Sequence, residues 1–138
     1  MTAAYLFLDL SSKTLRYAAA AHPRLLWLHR ASLEVEAVEE NGLLIGVMAS
    51  AAYTAVERSF QRGDRFLLYT DGLLEATDKN EEFYEEGRLK KALVASAGLT
   101  AGESADFILR ELAEWSGYEA GRAQEDDLTL LVVDVTGE

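Results

Sequence analysis

The sequence contains no cysteine among its 138 residues. This absence excludes disulfide bonds, thiolate zinc sites and a cysteine nucleophile. A single proline and ten scattered glycines leave no stretch with the composition of a linker or a low-complexity tail. The length and the uniform composition therefore predict one domain over residues 1–138, large enough to bury a core.

Long apolar runs and basic residues are also scarce. No stretch approaches the roughly 18 apolar residues of a membrane helix, and the first ten residues lack the basic start of a signal peptide. We therefore expect a cytoplasmic protein without a membrane partner. The net charge of −11 argues against a nucleic-acid partner, because Lys and Arg must neutralise phosphates there. An acidic surface favours hard cations or a basic partner, although much of this charge only maintains solubility.

The patterning predicts an α+β fold. Strands are expected at residues 4–10, 15–20, 25–30, 33–38, 53–60, 65–69 and 128–135, the last two near the sheet centre. Helices are expected at residues 85–97 and from Thr100, where Thr100 and Glu103 have capping-box spacing. The second helix has an apolar stripe of Ala105, Ile108, Leu109, Leu112 and Trp115. Two helices on one side of a largely antiparallel sheet follow from this order.

The stretch "YTDG" places Asp71 directly after a buried strand. One interpretation is that Asp71 and Gly72 let side chain and backbone approach a ligand. The other is that Asp71 caps a short helix at "LLEA", a position where Asp is favoured in any case.

A second pair of carboxylates, Asp126 and Asp127, begins the apolar strand "DDLTLLVV". Adjacent like charges near a core need an opposite charge, and a divalent cation held by oxygen ligands would supply it. Exposure of both side chains to solvent is the alternative. His22, in "AAHP", is interpreted as a hydrogen-bonded loop residue rather than as an acid or a ligand.

The order of several motifs resembles the carboxy-terminal part of a SpoIIE/RsbU-type phosphatase domain, a bacterial branch of the metal-dependent PP2C (PPM) Ser/Thr phosphatases. The motifs that carry this resemblance are "LRYAAAAHPRLLWLHR", "GLLIGV", "GDRFLLYTDGLLEA", "EEGRL" and "EDDLTLLVVDV", which span essentially the whole chain. The resemblance implies an α-β-β-α sandwich with two Mn²⁺ or Mg²⁺ ions at one end of paired sheets. It also implies that Asp71 and Asp126 are metal ligands. Asp127 is then a ligand or a neighbour of one, and Gly72 allows a tight turn beside the metals.

The family's earlier G-D-x-x-G-H-G segment does not occur in this chain. We therefore expect a domain truncated at its amino-terminal side, with half of the dinuclear site and with apolar surface that a homo-oligomer or a complementing chain would cover.

The sequence is compatible with two functions. The first is hydrolysis of phosphoserine or phosphothreonine in a phosphorylated regulatory protein, such as the anti-sigma antagonists of partner-switching pathways, with weak or no activity in the isolated chain. The second is a non-catalytic module that retains the fold and binds a signalling partner.

Overall fold

The computed structural model describes residues 1–117 and 127–136. The described elements follow the chain in this order: β1 (Ala3–Asp9), β2 (Thr14–Ala20), β3 (Leu25–His29), β4 (Glu34–Val38), β5 (Val56–Ser59), β6 (Arg65–Tyr69), α1 (Asp71–Leu74), α2 (Glu85–Ala95), α3 (Ala101–Ser116) and β7 (Leu130–Asp134). Within the described residues, no helix is both long and apolar enough to cross a membrane.

The strands form two antiparallel sheets. One has the order β1-β2-β5 and the other the order β4-β3-β6-β7. Register in the larger sheet pairs Leu26 with Leu67 and Tyr69 with Leu130. Because β3 and β6 are antiparallel, the start of β3 and the end of β6 lie at the same end of this sheet.

The larger sheet is buried on both faces, and its side chains alternate between two cores. Leu26 and Leu28 of β3 pack with the helices α2 and α3, whereas Leu25 and Trp27 pack with residues of the smaller sheet. This period of two follows from the strand geometry. Each such buried side chain contributes about 1.5–3 kcal/mol of transfer free energy, which holds helices, large sheet and small sheet in three layers. The expected α+β fold with antiparallel sheets is confirmed.

Helix α3 begins as the capping box predicts. The Thr100 hydroxyl accepts the Glu103 N–H at 3.3 Å, and the Glu103 carboxylate accepts the Thr100 N–H at 2.9 Å. The helix ends at Gly117, whose φ of 77° is left-handed. The predicted apolar stripe is wrong at Leu109, which is 38% exposed, because the buried face runs instead through Ser104, Ile108 and Leu112.

Two strand predictions need correction. The strand expected at 53–60 is shorter, since only Val56–Ser59 pairs with β2. The last strand was expected near the sheet centre, but β7 ends the strand order of the larger sheet among the described residues. Its side chain at Leu131 is 52% exposed, so an apolar sequence alone did not indicate a central position.

A buried guanidinium joins the helices to the larger sheet. Arg65, which is fully buried, donates to the Asp134 carboxylate from Nε at 2.5 Å and from Nη2 at 2.8 Å. It also donates to the carbonyl oxygens of Ser96 at 2.9 Å and Leu99 at 2.6 Å, just after α2. The helix end and the strand pair therefore share one cation, which satisfies carbonyls that have no partner within the helix.

Candidate metal centre

The chain leaves β6 through Thr70 and enters the four-residue helix α1. Thr70 is extended, with φ −89° and ψ 159°, and it is the residue that precedes the helix. Asp71 is therefore the first helical residue and not its cap, so the sequence-based alternative located the short helix but misplaced its start. Leu73, which is fully buried, anchors this helix in the core while Asp71 stays exposed.

Thr70 also holds the ends of β6 and β7 together. Its N–H donates to the Thr129 carbonyl at 3.1 Å, and its hydroxyl oxygen accepts the Thr129 N–H at 3.0 Å. The same hydroxyl donates to the Asp127 carbonyl at 3.4 Å. These contacts bring the backbone of Asp127 next to the residue that precedes Asp71. Thr70 was not among the residues predicted from the sequence, although a hydroxyl residue directly before Asp-Gly was a usable indication.

The predicted site residues that the structure describes lie at one end of the larger sheet. Asp71 and Asp127 are both exposed there, and the Asp71 Oδ1 accepts the N–H of Gly72 at 3.0 Å. Gly72 is buried inside α1 and does not have a positive φ, so the turn itself does not require glycine conformational freedom. Asp126 lies outside the described residues, and its role as a ligand stays a prediction.

His22 lies in the loop between β2 and β3, which opens at the same end of the sheet as Asp71. Its Nδ1 is 2.9 Å from the Pro23 carbonyl. The side chain of Asn41 makes two hydrogen bonds to the backbone of His22. It accepts from the His22 N–H at 3.3 Å and donates to the His22 carbonyl at 2.9 Å. These contacts fit a residue that shapes a loop, and the structural assignment of His22 stays a prediction.

The chemistry of the carboxylates fits a hard divalent cation. Mg²⁺ and Mn²⁺ prefer oxygen ligands, which Asp71 and Asp127 offer on neighbouring strand ends. The set is incomplete: among residues 1–117 and 127–136, no three His, Cys, Asp or Glu side chains are grouped as a metal site. The described residues thus fit part of the implied site.

Comparison with known proteins identifies one matching family and several solved structures with a similar fold. The family model for Stage II sporulation protein E (SpoIIE) matches residues 1–136. Protein IcfG of Synechocystis sp. is 28% identical over 126 residues, which cover 91% of this chain and 19% of IcfG. The SiaA-PP2C domain of Pseudomonas aeruginosa superposes with a TM-score of 0.84 at 25% identity, over 96% of this chain and 51% of that one.

A third similar structure is the phosphatase domain of the cell fate determinant SpoIIE from Bacillus subtilis, presoaked with Mn. Its TM-score is 0.70 at 18% identity, over 99% of this chain and 57% of that domain. At this identity the likeness shows the fold alone. The chain spans about half the length of the solved domains that it matches.

Proposed function

The chain belongs to the SpoIIE family, and on that premise we propose that it is part of a metal-dependent protein phosphatase domain that hydrolyses phosphoserine or phosphothreonine. The observation that carries the proposal is the junction made by Thr70, which places the backbone of Asp127 beside the strand end that carries Asp71. Neighbouring carboxylates at the ends of paired strands are suited to a divalent cation and have no evident role in packing.

In this proposal, Asp71 and Asp126 would hold Mn²⁺ or Mg²⁺, with Asp127 next to them. Bound metal would supply a nucleophilic hydroxide at neutral pH and would stabilise charge on the transferring phosphoryl group. The chain's own contribution is positioning: buried Leu73 fixes α1, and Thr70 fixes the distance between the two strand ends. A reaction of this kind needs no covalent phosphoenzyme, so the missing cysteine is no obstacle.

We propose a phosphorylated regulatory protein as the substrate. The support is membership of the family, and the exposed position of Asp71 and Asp127 leaves room for a protein-borne phosphate rather than a small buried ligand.

We further propose that residues outside this set complete the site, from another segment of a longer protein or from a second chain. The support is the incomplete ligand group among the described residues, together with apolar exposure on the smaller sheet. Tyr5 and Phe7, on the same face of β1, are 58% and 47% exposed. Exposed apolar surface of this kind is typical of an interface.

The first test is calorimetric titration of Mn²⁺ into the wild type and into Asp71→Asn and Asp126→Asn. Asp106→Asn is the matched control, because Asp106 is an exposed carboxylate on α3 far along the chain from the site. We expect saturable binding in the wild type and in the control, and at least a tenfold loss of affinity in both site variants, since each removes a charged ligand. Equal affinity in all four proteins would contradict the metal assignment.

The second test is release of phosphate from a phosphoserine peptide with Mn²⁺ present. Turnover that Asp71→Asn abolishes would support the phosphatase. Metal binding without turnover would be the result expected if another segment or chain supplies the remaining site residues. Absence of turnover after those residues are supplied would favour the non-catalytic module instead.

A further inference from the structure

A separate cavity of about 380 Å³, lined in part by carboxylates, lies at the opposite end of the larger sheet. It opens where β3 ends and β6 begins. The residues that matter for its chemistry are Trp27, His29, Ser32, Glu34, Gln61 and Asp64. Its volume falls within the range of small-molecule sites, which are commonly about 300–1,000 Å³.

A nearly buried carboxylate lines this cavity. Asp64 is 4% exposed and accepts hydrogen bonds from Trp27 Nε1 at 3.0 Å and from the Gln61 N–H at 2.9 Å. Both bonds end on Oδ2, and the ring Nδ1 of His29 is 3.9 Å from the same atom. Among the described residues, none donates to Oδ1. Oδ1 is not among the fully buried unpaired atoms of the described residues, so it is open to the cavity and can accept a hydrogen bond from a ligand there.

The surroundings of Asp64 are rich in acceptors. Exposed Glu34 also lines the cavity, and its carboxylate accepts a hydrogen bond from the Ser32 hydroxyl at 3.3 Å. The nearby cation, Arg58, is already engaged: it donates to both oxygens of Glu36 at 2.9 and 3.1 Å and lies 5.5 Å from the centre of the Trp27 ring. The local charge is therefore negative, within a chain of net charge −11.

We propose that this cavity binds a small organic cation, through an alkylammonium or guanidinium group that donates to Asp64 Oδ1 and to Glu34. Such groups carry several N–H donors and a positive charge, which match one buried and one exposed carboxylate. A metal ion fits less well, because the described residues offer no cluster of three metal-binding side chains here.

The site is distinct from the candidate metal centre. At about 3.4 Å per residue, the six residues from Asp64 to Thr70 separate the two ends of the strand by roughly 20 Å. The proposal therefore stands whether or not the phosphatase proposal is correct.

The test uses the two tryptophans of the chain. In a ¹H–¹⁵N NMR spectrum each indole N–H gives one signal. The signal of Trp27 reports on the Asp64 hydrogen bond, whereas that of Trp115, assigned with Trp115→Phe, is an internal control. Methylguanidinium and n-butylammonium chloride are titrated separately. Sodium chloride controls for salt, and methylurea and n-butanol are neutral analogues of similar shape.

We expect a saturable shift of the Trp27 signal with either cation, with a dissociation constant of about 1 mM and an unmoved Trp115 signal. Glu34→Gln, at an exposed position, should weaken binding about fivefold, and Asp64→Asn should abolish it. Glu114→Gln, which removes an exposed carboxylate on α3, should leave binding unchanged. If Asp64→Asn fails to fold, Glu34→Gln still decides the question.

The source of the cation is distinguished by adding N-acetyl-arginine methylamide. Tenfold tighter binding than methylguanidinium would indicate an arginine side chain of a protein, and equal or weaker binding a free small cation. The proposal is overturned if neither cation moves the Trp27 signal, if the neutral analogues or sodium chloride move it equally, or if both indole signals shift together.

Discussion

The charged side chains at the two ends of strand β6 differ in burial: they are buried and paired at its start and exposed at its end. At its start, Arg65 is fully buried and donates four hydrogen bonds, two of them to the Asp134 carboxylate. At the other end, Asp71 is exposed, next to a second exposed carboxylate at Asp127. One strand thus joins a buried ionic cluster at its start to an end where two carboxylates are exposed.

The difference shows which charges organise the fold and which are available for binding. A charge transferred from water to the interior loses several kcal/mol of hydration, so it persists there only with complete pairing, as at Arg65. Carboxylates that stay in water lose little and stabilise little. The exposed carboxylates of Asp71 and Asp127 are therefore accessible to the cation that we propose for this end of the sheet.

The largest loss of stability is expected from replacing the buried Arg65 at the start of β6. Arg65→Met should destabilise the protein by about 3–5 kcal/mol, because it removes the close donors to the Asp134 carboxylate, which keeps only Arg30 at 3.6 Å, and the side-chain donors to the Ser96 and Leu99 carbonyls. Urea denaturation followed by circular dichroism measures this. Arg16→Met is the matched control: the Arg16–Glu57 pair is exposed, at 63% and 57%, and its loss should leave the midpoint unchanged. Similar losses in both variants would show that burial does not distinguish these pairs.

At the Asp71 end of β6, we expect different substitutions to affect fold stability and metal binding. Leu73→Ala should cost about 2–5 kcal/mol, because it opens a cavity beneath α1. Asp71→Asn, two residues away, should leave the unfolding midpoint unchanged without metal and should remove the stabilisation that Mn²⁺ gives to the wild type. Thermal unfolding with and without Mn²⁺ measures both. A destabilised Asp71→Asn in metal-free buffer would mean that this carboxylate has a structural role.

The smallest expected effect is the pH dependence of stability that arises from Glu36, near the start of β6. Burial raises the pKa of Glu36, but hydrogen bonds from Arg58 and His29 outweigh it, so the pKa lies below its ordinary value. A lowered folded-state pKa stabilises the protein above the ordinary pKa, and this contribution disappears as the pH falls through the folded-state value. Glu36→Gln should therefore cost less than about 1 kcal/mol at about pH 6, and the difference should shrink as the pH falls below the ordinary Glu pKa of 4.5. Urea midpoints above and below the ordinary pKa test this, and a difference that grows on acidification would contradict it.

Local patterns predicted much of the architecture. Strands β3 and β4 lie within the ranges expected from their residue types, and the start of α3 follows from the spacing of Thr100 and Glu103, as the structure confirms. Both depend on residues close in sequence. The junction at Asp71 was also visible, because an acidic residue ends an apolar strand there.

The contacts missed by the sequence analysis link distant residues. Arg65 was expected only as the first residue of an apolar strand, yet its carboxylate partner Asp134 is 69 residues away. Likewise the bond between Trp27 and Asp64 spans 37 residues. No local spacing encodes such pairs, since they depend on which strands become neighbours and on which face each side chain occupies.

The hydrogen bonds of the Arg65 guanidinium also restrict separation of the helices from the larger sheet. It bonds two carbonyl oxygens after α2 and a carboxylate on the neighbouring strand β7, so the helices cannot detach from the sheet without losing two charge-assisted hydrogen bonds and exposing the core beneath them. Opening at this corner should therefore coincide with global unfolding, and its amide hydrogens should be among the slowest to exchange with deuterium. The carboxylate of Asp71 is exposed and pairs with no cation among the described residues, so exchange at this turn should be faster and should slow when a cation binds.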